Sequence, residues 1–139
     1  MGHQHTFESI AIGDTHTMTH TFTAEAVRAF ADITGDDNPI HVDEAYAKET
    51  RFGTCIVHGV YLMGLVSKQL GHDYPGPGCI AVQITTKFAR PVPVGAEVAF
   101  TVKVVEKIEG RRQIRARISA QCNGKMALGG EVIFVPPGG

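Results

Sequence analysis

The 139-residue sequence predicts an α+β fold, a curved antiparallel sheet wrapped around a central apolar helix. Residues 60–67 are apolar on every side, which is typical of a buried helix, and the run is too short for the roughly 20 residues that cross a bilayer. After residue 78 the chain alternates apolar and polar residues in runs separated by short turns, which indicates antiparallel strands. An apolar helix needs a surface that covers it, and a sheet with one apolar face supplies that surface.

The first third of the chain is predicted to contain one strand and two helices. Residues 15–23 alternate strictly, and threonines occupy one face while larger side chains share the other, namely His16, Met18, His20 and Phe22. Thr23 is a suitable N-cap for a helix that starts at Ala24 and ends at Gly35. Asp43 is predicted to cap a short helix through residues 45–47.

The rest of the chain is predicted to contain the central helix and four strands in an antiparallel meander. The helix begins near Gly59 and ends near Gly71, before a turn cluster at residues 74–78. Alternating runs follow at residues 80–88, 98–104 and 114–120, and Asn123-Gly124 is a strong hairpin signal before the last strand. The residues predicted to form the apolar face are Ile80, Val82, Ile84, Phe88, Val98, Phe100, Val102, Val104, Ile114, Ala116, Ile118, Ala120, Met126, Leu128, Val132 and Phe134.

Length, charge and cysteine usage limit the class of protein. A chain of this length fits one domain, which we take as residues 1–139. The formal net charge of −1, without a basic run, gives no indication of nucleic-acid binding. Three cysteines at unrelated spacings predict free thiols in a reducing compartment, and residues 1–5 lack the basic and apolar regions of a secretory signal. We therefore expect a cytoplasmic protein with no nucleic-acid or membrane partner.

The heptapeptide GDDNPIH at residues 35–41 is the segment most indicative of function. It places a carboxylate, Asp36, five positions before an imidazole, His41. Pro39 lacks a backbone N–H and disfavours the α region at the preceding residue, so we expect that the segment does not form regular helix. A loop of this kind can direct an acid and a base at one point in space, which is what proton transfer requires.

A second segment, IVHG at residues 56–59, leads directly into the apolar helix. Gly59 is predicted to lie near the helix N-terminus, where free N–H groups and the positive end of the helix dipole favour a developing negative charge. An alternative role for Gly59 is to permit close helix packing. His58 has no predicted chemical role and is expected to be a buried ring with satisfied hydrogen bonds.

The two segments, together with Phe88-x-x-Pro91-Val92, resemble the MaoC-like family. Its members are (R)-specific enoyl-CoA hydratases and 3-hydroxyacyl-CoA dehydratases with a hot-dog fold, and the resemblance covers almost the whole chain. It implies a lyase that adds water reversibly to the double bond of a trans-2-enoyl thioester. Delivery of both water components from one side implies syn addition, and the resemblance implies a 3R product.

The resemblance also assigns roles to individual residues. It implies that Asp36 and His41 form the catalytic dyad and that the Gly59 N–H holds the thioester oxygen. Asn38 matches the motif's asparagine and is expected to orient the loop. Ser67 matches a helix serine that supports the dyad in some members, although a hydroxyl bonded back to its own helix is equally consistent with the sequence.

The expected partner is an acyl-CoA thioester, and coenzyme A is part of that substrate, so no separate cofactor is expected. The resemblance further implies a homodimer or a higher homo-oligomer with the substrate site at the subunit interface. Two other functions stay open. One is a hot-dog acyl-CoA thioesterase, which would need no histidine partner, and the other is a non-catalytic acyl-CoA-binding domain.

No metal is expected from the sequence. Asp36-x-Asn38 begins like a calcium-binding EF-hand loop, but His41 and Ala47 stand where such a loop needs glycine and glutamate. A pair formed by His16 and His20 on one strand face has no evident third ligand.

Overall fold

Five strands and four α-helices follow one another along residues 5–138, the part of the chain that the computed structural model describes. They are β1 (Thr15–Thr21), α1 (Ala24–Thr34), α2 (Pro39–Val42), α3 (Glu44–Lys48), α4 (Gly59–Lys68), β2 (Ile80–Phe88), β3 (Glu97–Ile108), β4 (Gln113–Cys122) and β5 (Lys125–Val135). A π-helical turn, Gln69–Asp73, extends α4 beyond its predicted end near Gly71. The prediction of a cytoplasmic protein rests partly on residues 1–4, which lie outside the described part.

All strand pairs are antiparallel, and the strand order in the sheet is β1-β3-β4-β5-β2. The predicted four-strand meander is therefore wrong in one respect, because only β3, β4 and β5 are consecutive neighbours. Strand β2 forms the far edge beside β5, and the following chain crosses over to β3. Alternation along a strand tells which side chains share a face, but it carries no information on which strands are neighbours.

The predicted core face is confirmed in the middle of the sheet. Every predicted inward residue of β3 and β4 is at most 1% exposed, as are Leu128, Val132 and Phe134 of β5. Met126 is an exception, because its side chain is 42% exposed and Ala127 is buried instead. The pairing of β4 with β5 shifts register between Ala120 and Gln121, which changes the face on which the first residues of β5 lie.

The central helix is only partly buried in the single chain, so the prediction of complete burial is wrong. Leu62, Leu65 and Val66 of α4 are buried, whereas Val60 is 54% exposed. The sheet contacts one side of the helix and leaves the other side open. Along residues 5–138, no helix combines the length and the apolar character needed to cross a membrane.

Strand β2 is also less covered than predicted. Ile80, Val82 and Phe88 are between 52% and 62% exposed, and the prediction that they share the inward face is wrong for Ile80. Phe88 pairs with the buried Leu128, whereas Ile80 pairs with Val135 on the opposite face of the sheet. The pairing of β2 with β5 is irregular between Ala81 and Gln83, where Val82 has no partner in the register.

Local signals at helix ends and turns are confirmed. The Thr23 hydroxyl accepts a hydrogen bond from the Ala26 N–H at 3.1 Å, and the Asp43 carboxylate accepts one from the Tyr46 N–H at 3.1 Å. Asn123 and Gly124 have φ values of 53° and 75° and form the tight turn between β4 and β5.

Candidate active site

Asp36 lies on a short loop that begins where α1 ends. Gly35 ends the helix in the left-handed conformation with φ of 78°, which a glycine adopts without strain. The Thr34 hydroxyl accepts a hydrogen bond from the Asp36 N–H at 3.1 Å and donates one to the Phe30 carbonyl at 2.7 Å. The exposed Asp36 carboxyl is thus carried by a backbone that is tied to the last turn of α1.

The second half of the heptapeptide forms one helical turn, α2, so the prediction of a wholly non-helical segment is wrong there. Pro39 occupies the first position of the turn, where the missing N–H has no helical acceptor to lose. The Asn38 side-chain oxygen accepts a hydrogen bond from the Ile40 N–H at 3.3 Å and caps the turn. The His41 N–H donates to the Asn38 carbonyl at 2.9 Å, so Asn38 holds the turn that carries His41.

The contact of His41 with the backbone determines its tautomer. Its Nδ1 lies 2.7 Å from the Ile56 carbonyl oxygen, which can only accept a hydrogen bond. Nδ1 therefore carries the proton, and the neutral ring leaves Nε2 with a free lone pair. This is the arrangement that a general base needs.

Gly59 is the first residue of α4, as predicted, and its N–H has no acceptor within the helix. Helices α1, α2 and α3 each begin with a side-chain cap, whereas the residue before Gly59 makes no side-chain cap hydrogen bond. The Tyr61 N–H donates to the His58 carbonyl at 3.0 Å, whereas the Gly59 N–H is left available to a ligand. A Cβ added at Gly59 would lie 2.8 Å from Cε1 of Phe88, so the Phe88 ring packs against the bare backbone.

Asp36, His41 and Gly59 line the same cavity, which has a volume of about 520 Å³. Apolar side chains form much of the wall, among them Phe52, Ile56, Val57, Val60, Leu62, Phe88 and Val92. Ser67, in contrast, is exposed and lies eight residues further along α4, about 12 Å away at 1.5 Å per residue. Among the described residues, the structure brings the acid, the base and the helix amide together, but it does not bring Ser67 to them.

A ligand atom from each of Asp36, His41 and His58 lies within 4.8 Å of the other two, which is a distance at which three such groups can hold a metal ion. Two of the four ring nitrogens already face carbonyl oxygens, namely His41 Nδ1 and His58 Nε2. The two rings stack with their centroids 3.8 Å apart and their planes 26° apart. An imidazole lone pair lies in the plane of its ring, so the lone pairs of two stacked rings point in nearly parallel directions. They do not converge on one ion, and this geometry does not favour a metal site.

The thiol near the acid–base pair is not a nucleophile. Cys55 is buried, and its N–H donates a hydrogen bond to the Glu44 carboxylate at 3.1 Å. Burial, followed by the neighbouring Glu44 carboxylate, raises the pKa of the Cys55 thiol to about 11. The thiol thus stays protonated near neutral pH, when thiolate is the reactive form.

Four residues at the cavity were not predicted to have a role. His58 and Phe88 contact the acid–base pair and the helix amide, and Arg51 and Arg90 line the cavity. Phe88, Arg51 and Arg90 come to the site through contacts between distant parts of the chain, which local patterns do not predict. Two sequence signals pointed toward the site, the position of His58 directly before Gly59 and the place of Phe88 in the Phe88-x-x-Pro91-Val92 segment.

Comparison with known proteins identifies relatives along almost the whole chain. The family model described as "MaoC like domain" matches residues 10–124. The chain is 39% identical to a 3-hydroxybutyryl-CoA dehydratase of Methylorubrum extorquens, over 94% of this chain and 83% of the relative. It is 36% identical to an (R)-specific enoyl-CoA hydratase of Rhodospirillum rubrum, over 96% of this chain and 92% of the relative.

The fold comparison agrees with the sequence comparison. The solved structure of the (R)-hydratase from A. caviae involved in PHA biosynthesis superimposes with a TM-score of 0.91 and 34% identity, over 94% of this chain and 99% of that one. The predicted hot-dog fold is therefore confirmed, and the relatives are named as hydratases and dehydratases, which are hydro-lyases. The chain belongs to the MaoC-like domain family.

Proposed function

We propose that the chain is an (R)-specific enoyl-CoA hydratase, which also catalyses the reverse dehydration of 3-hydroxyacyl-CoA. The observation that carries the proposal is one cavity in which the Asp36 carboxyl, the His41 ring and the Gly59 end of α4 meet. The names of the similar hydratases and dehydratases support the same reaction.

The acid–base pair is suited to hold and split one water molecule. His41 Nε2, with its free lone pair, can accept a proton from the water as its oxygen attacks C3. The Asp36 carboxyl lies close enough to share this water. One member of the pair returns a proton to C2, so that the hydroxyl ends on C3, the proton on C2, and the pair regains its starting protonation. Delivery of both water components by these two neighbouring groups predicts syn addition, and the likeness to (R)-specific hydratases supports a 3R-hydroxyacyl product.

Charge develops on the thioester oxygen as water attacks C3, because the transition state resembles an enolate. The Gly59 N–H, at the positive end of the α4 dipole, is the donor that we assign to this oxygen. A backbone donor of this kind typically contributes about 10²–10³ in rate. No metal or separate cofactor is needed in this scheme.

The cavity lining also fits an acyl thioester. Its apolar wall can cover an acyl chain, while the guanidinium groups of Arg51 and Arg90 supply positive charge that suits the phosphates of coenzyme A. The proposed substrate class is therefore a trans-2-enoyl-CoA.

Incubation with trans-2-butenoyl-CoA tests the proposed function. We expect loss of the ultraviolet absorbance of the conjugated enoyl thioester without release of free thiol, and no such loss with Asp36→Asn. Release of free coenzyme A from an acyl-CoA would instead support a thioesterase. If the protein binds enoyl-CoA substrates of several chain lengths but turns over none of them, the proposal that it is an enzyme is contradicted.

We also assign the exposed apolar side of the molecule to a second copy of the chain. Strand β2 is an edge strand, and Ile80, Val82 and Phe88 on it are exposed apolar side chains. Phe88 lines the same cavity as the exposed Val60 of α4. An apolar edge of this kind favours pairing with another strand. Phe88 and Val60 also line the active-site cavity, so a second copy there would complete the cavity wall.

Light scattering at micromolar concentration tests the homodimer. We expect at least twice the mass of one chain, and we expect Val82→Lys on β2 to reduce the mass, because a charge at the paired edge is costly. Thr19→Lys, on the exposed face of the other edge strand β1, is the matched control and should leave the mass unchanged. A monomer mass for the unmodified protein would contradict the proposal.

The cytoplasm stays the proposed location. Cys55, Cys79 and Cys122 are free thiols, as in proteins of a reducing compartment.

A further inference from the structure

His58 has contacts that neither its predicted role nor the proposed reaction explains. The residue is 1% exposed, and its ring stacks on the His41 ring at a centroid distance of 3.8 Å. The other neighbour of the ring is Phe30 of α1, at 4.6 Å. Its Nε2 lies 2.9 Å from the backbone carbonyl oxygen of Asp36.

The contact with Asp36 determines the tautomer of His58. A carbonyl oxygen only accepts, so Nε2 carries the proton and donates a hydrogen bond to the backbone carbonyl of Asp36. Nδ1 is then an acceptor, and it is buried without a hydrogen-bond partner among the described residues. An unsatisfied buried acceptor costs about 1–3 kcal/mol, so an apolar side chain would suit the fold better at this position. The Nε2–H bond to Asp36 is what an apolar side chain could not supply.

We propose that His58 is a positioning residue that sets the place of Asp36 and His41 relative to the Gly59 amide. The inference rests on the proposed function of these three groups. His58 is covalently joined to Gly59, is hydrogen-bonded to the Asp36 backbone and is stacked on His41. A single ring therefore connects the acid, the base and the anion-stabilising end of α4.

The bond to His58 completes the anchoring of the Asp36 backbone. The Asp36 N–H is held by the Thr34 hydroxyl, which belongs to α1, and its carbonyl is held by His58, which belongs to the start of α4. Without the second anchor, the loop that carries the exposed carboxyl would be tied to α1 alone. Since an error of about 1 Å in the position of a reacting group can cost roughly 10²-fold in rate, this anchor has a direct effect on turnover.

Two variants separate the hydrogen bond from the ring. His58→Gln keeps an N–H donor at the same number of bonds from the backbone but removes the ring, and His58→Phe keeps a ring that can stack but removes the donor. We expect His58→Phe to lower kcat by roughly 10- to 100-fold with KM changed less than about threefold. We expect His58→Gln to keep kcat within about tenfold of the unmodified protein and to melt at a lower temperature than His58→Phe.

The decisive result is that His58→Gln is the more active variant although it melts at the lower temperature. A residue that only supports packing would make activity follow the melting temperature, so a less active His58→Gln than His58→Phe would overturn the proposal. If His58→Phe does not fold, a His58→Gln variant as impaired in kcat as Asp36→Asn would overturn it.

Hydrogen exchange of residues 35–41 tests the same inference without the reaction. We expect faster exchange of this segment in His58→Phe than in the unmodified protein, with His58→Gln close to the unmodified protein. Unchanged exchange in His58→Phe would overturn the positioning role. A failure of the unmodified protein to hydrate any enoyl-CoA would count against the proposed function, whereas the exchange result judges the anchor itself.

Discussion

Substitution of Gly59 by alanine tests the assignment of the helix amide most sharply. The new Cβ would lie 2.8, 2.9 and 3.2 Å from three ring carbons of Phe88, whereas carbon atoms in good contact are about 3.5–4.0 Å apart. The ring would therefore have to move by about 1 Å. Phe88 is the last residue of the edge strand β2, so its ring can shift without disturbing the middle of the sheet and we expect the fold to survive.

The expected loss is in turnover. The added methyl group crowds the acyl carbon of a substrate whose oxygen faces the Gly59 N–H, and the displaced Phe88 ring changes the cavity wall. A misplacement of about 1 Å can cost roughly 10²-fold, so we expect Gly59→Ala to lower kcat more than tenfold. Alanine is the better helix former by about 1 kcal/mol, which offsets the cost of moving the ring and should keep the melting temperature close to that of the unmodified protein.

Gly64→Ala is the matched control in the same helix. A Cβ at Gly64 has no atom within 4 Å, so this variant should keep activity and match or exceed the original melting temperature. Steady-state kinetics of hydration and thermal melts of both variants make the comparison. If Gly59→Ala retains activity but melts at a lower temperature, then Gly59 is a packing glycine and the oxyanion donor lies elsewhere.

The other predictions concern the dyad, its loop and a buried thiol. Asp36→Asn and His41→Gln should each lower kcat at least about 100-fold with little change in KM, and the double variant should be little worse than the poorer single, because both act on one water. Asn38→Ala should lower the free energy of unfolding by about 1 kcal/mol through loss of its cap, while Asn38→Asp should not, as urea titrations would measure. The pKa of the Cys55 thiol is about 11 in the folded protein, against an ordinary value of 9.0. The protonated thiol therefore contributes fully to the free energy of unfolding below pH 9, and this contribution is lost between about pH 9 and 11. Stability should thus fall less steeply over that range in Cys55→Ala, and an equal fall would contradict the assignment.

The parts of the fold that depend on local pattern were predictable from the sequence. Alternation identified the inward faces of β3 and β4, since each face follows from a period of two whatever the neighbours are. The caps at Thr23 and Asp43 were predictable because a side-chain oxygen bonds an N–H only three residues away. The register shift that exposes Met126 was not predictable, since it arises between two strands.

The site was predictable where a motif carries it, and not where distant residues build it. Asp36 and His41 lie in one heptapeptide, so their proximity follows from the chain itself. The bond between His58 and Asp36 joins residues 22 positions apart, and Phe88 reaches Gly59 from the end of an edge strand. The helical turn at Pro39 was missed because proline is unfavourable inside a helix but favourable at its first position.

Hydration of trans-2-butenoyl-CoA in D₂O tests the central claim, that Asp36 and His41 deliver both parts of one water molecule from one side. The configuration at C3, and the coupling between the protons on C2 and C3 in the product, report on the face that each atom came from. We predict a 3R product in which deuterium at C2 and oxygen at C3 were added to the same face. A 3S product, or addition to opposite faces, would contradict this account of the site.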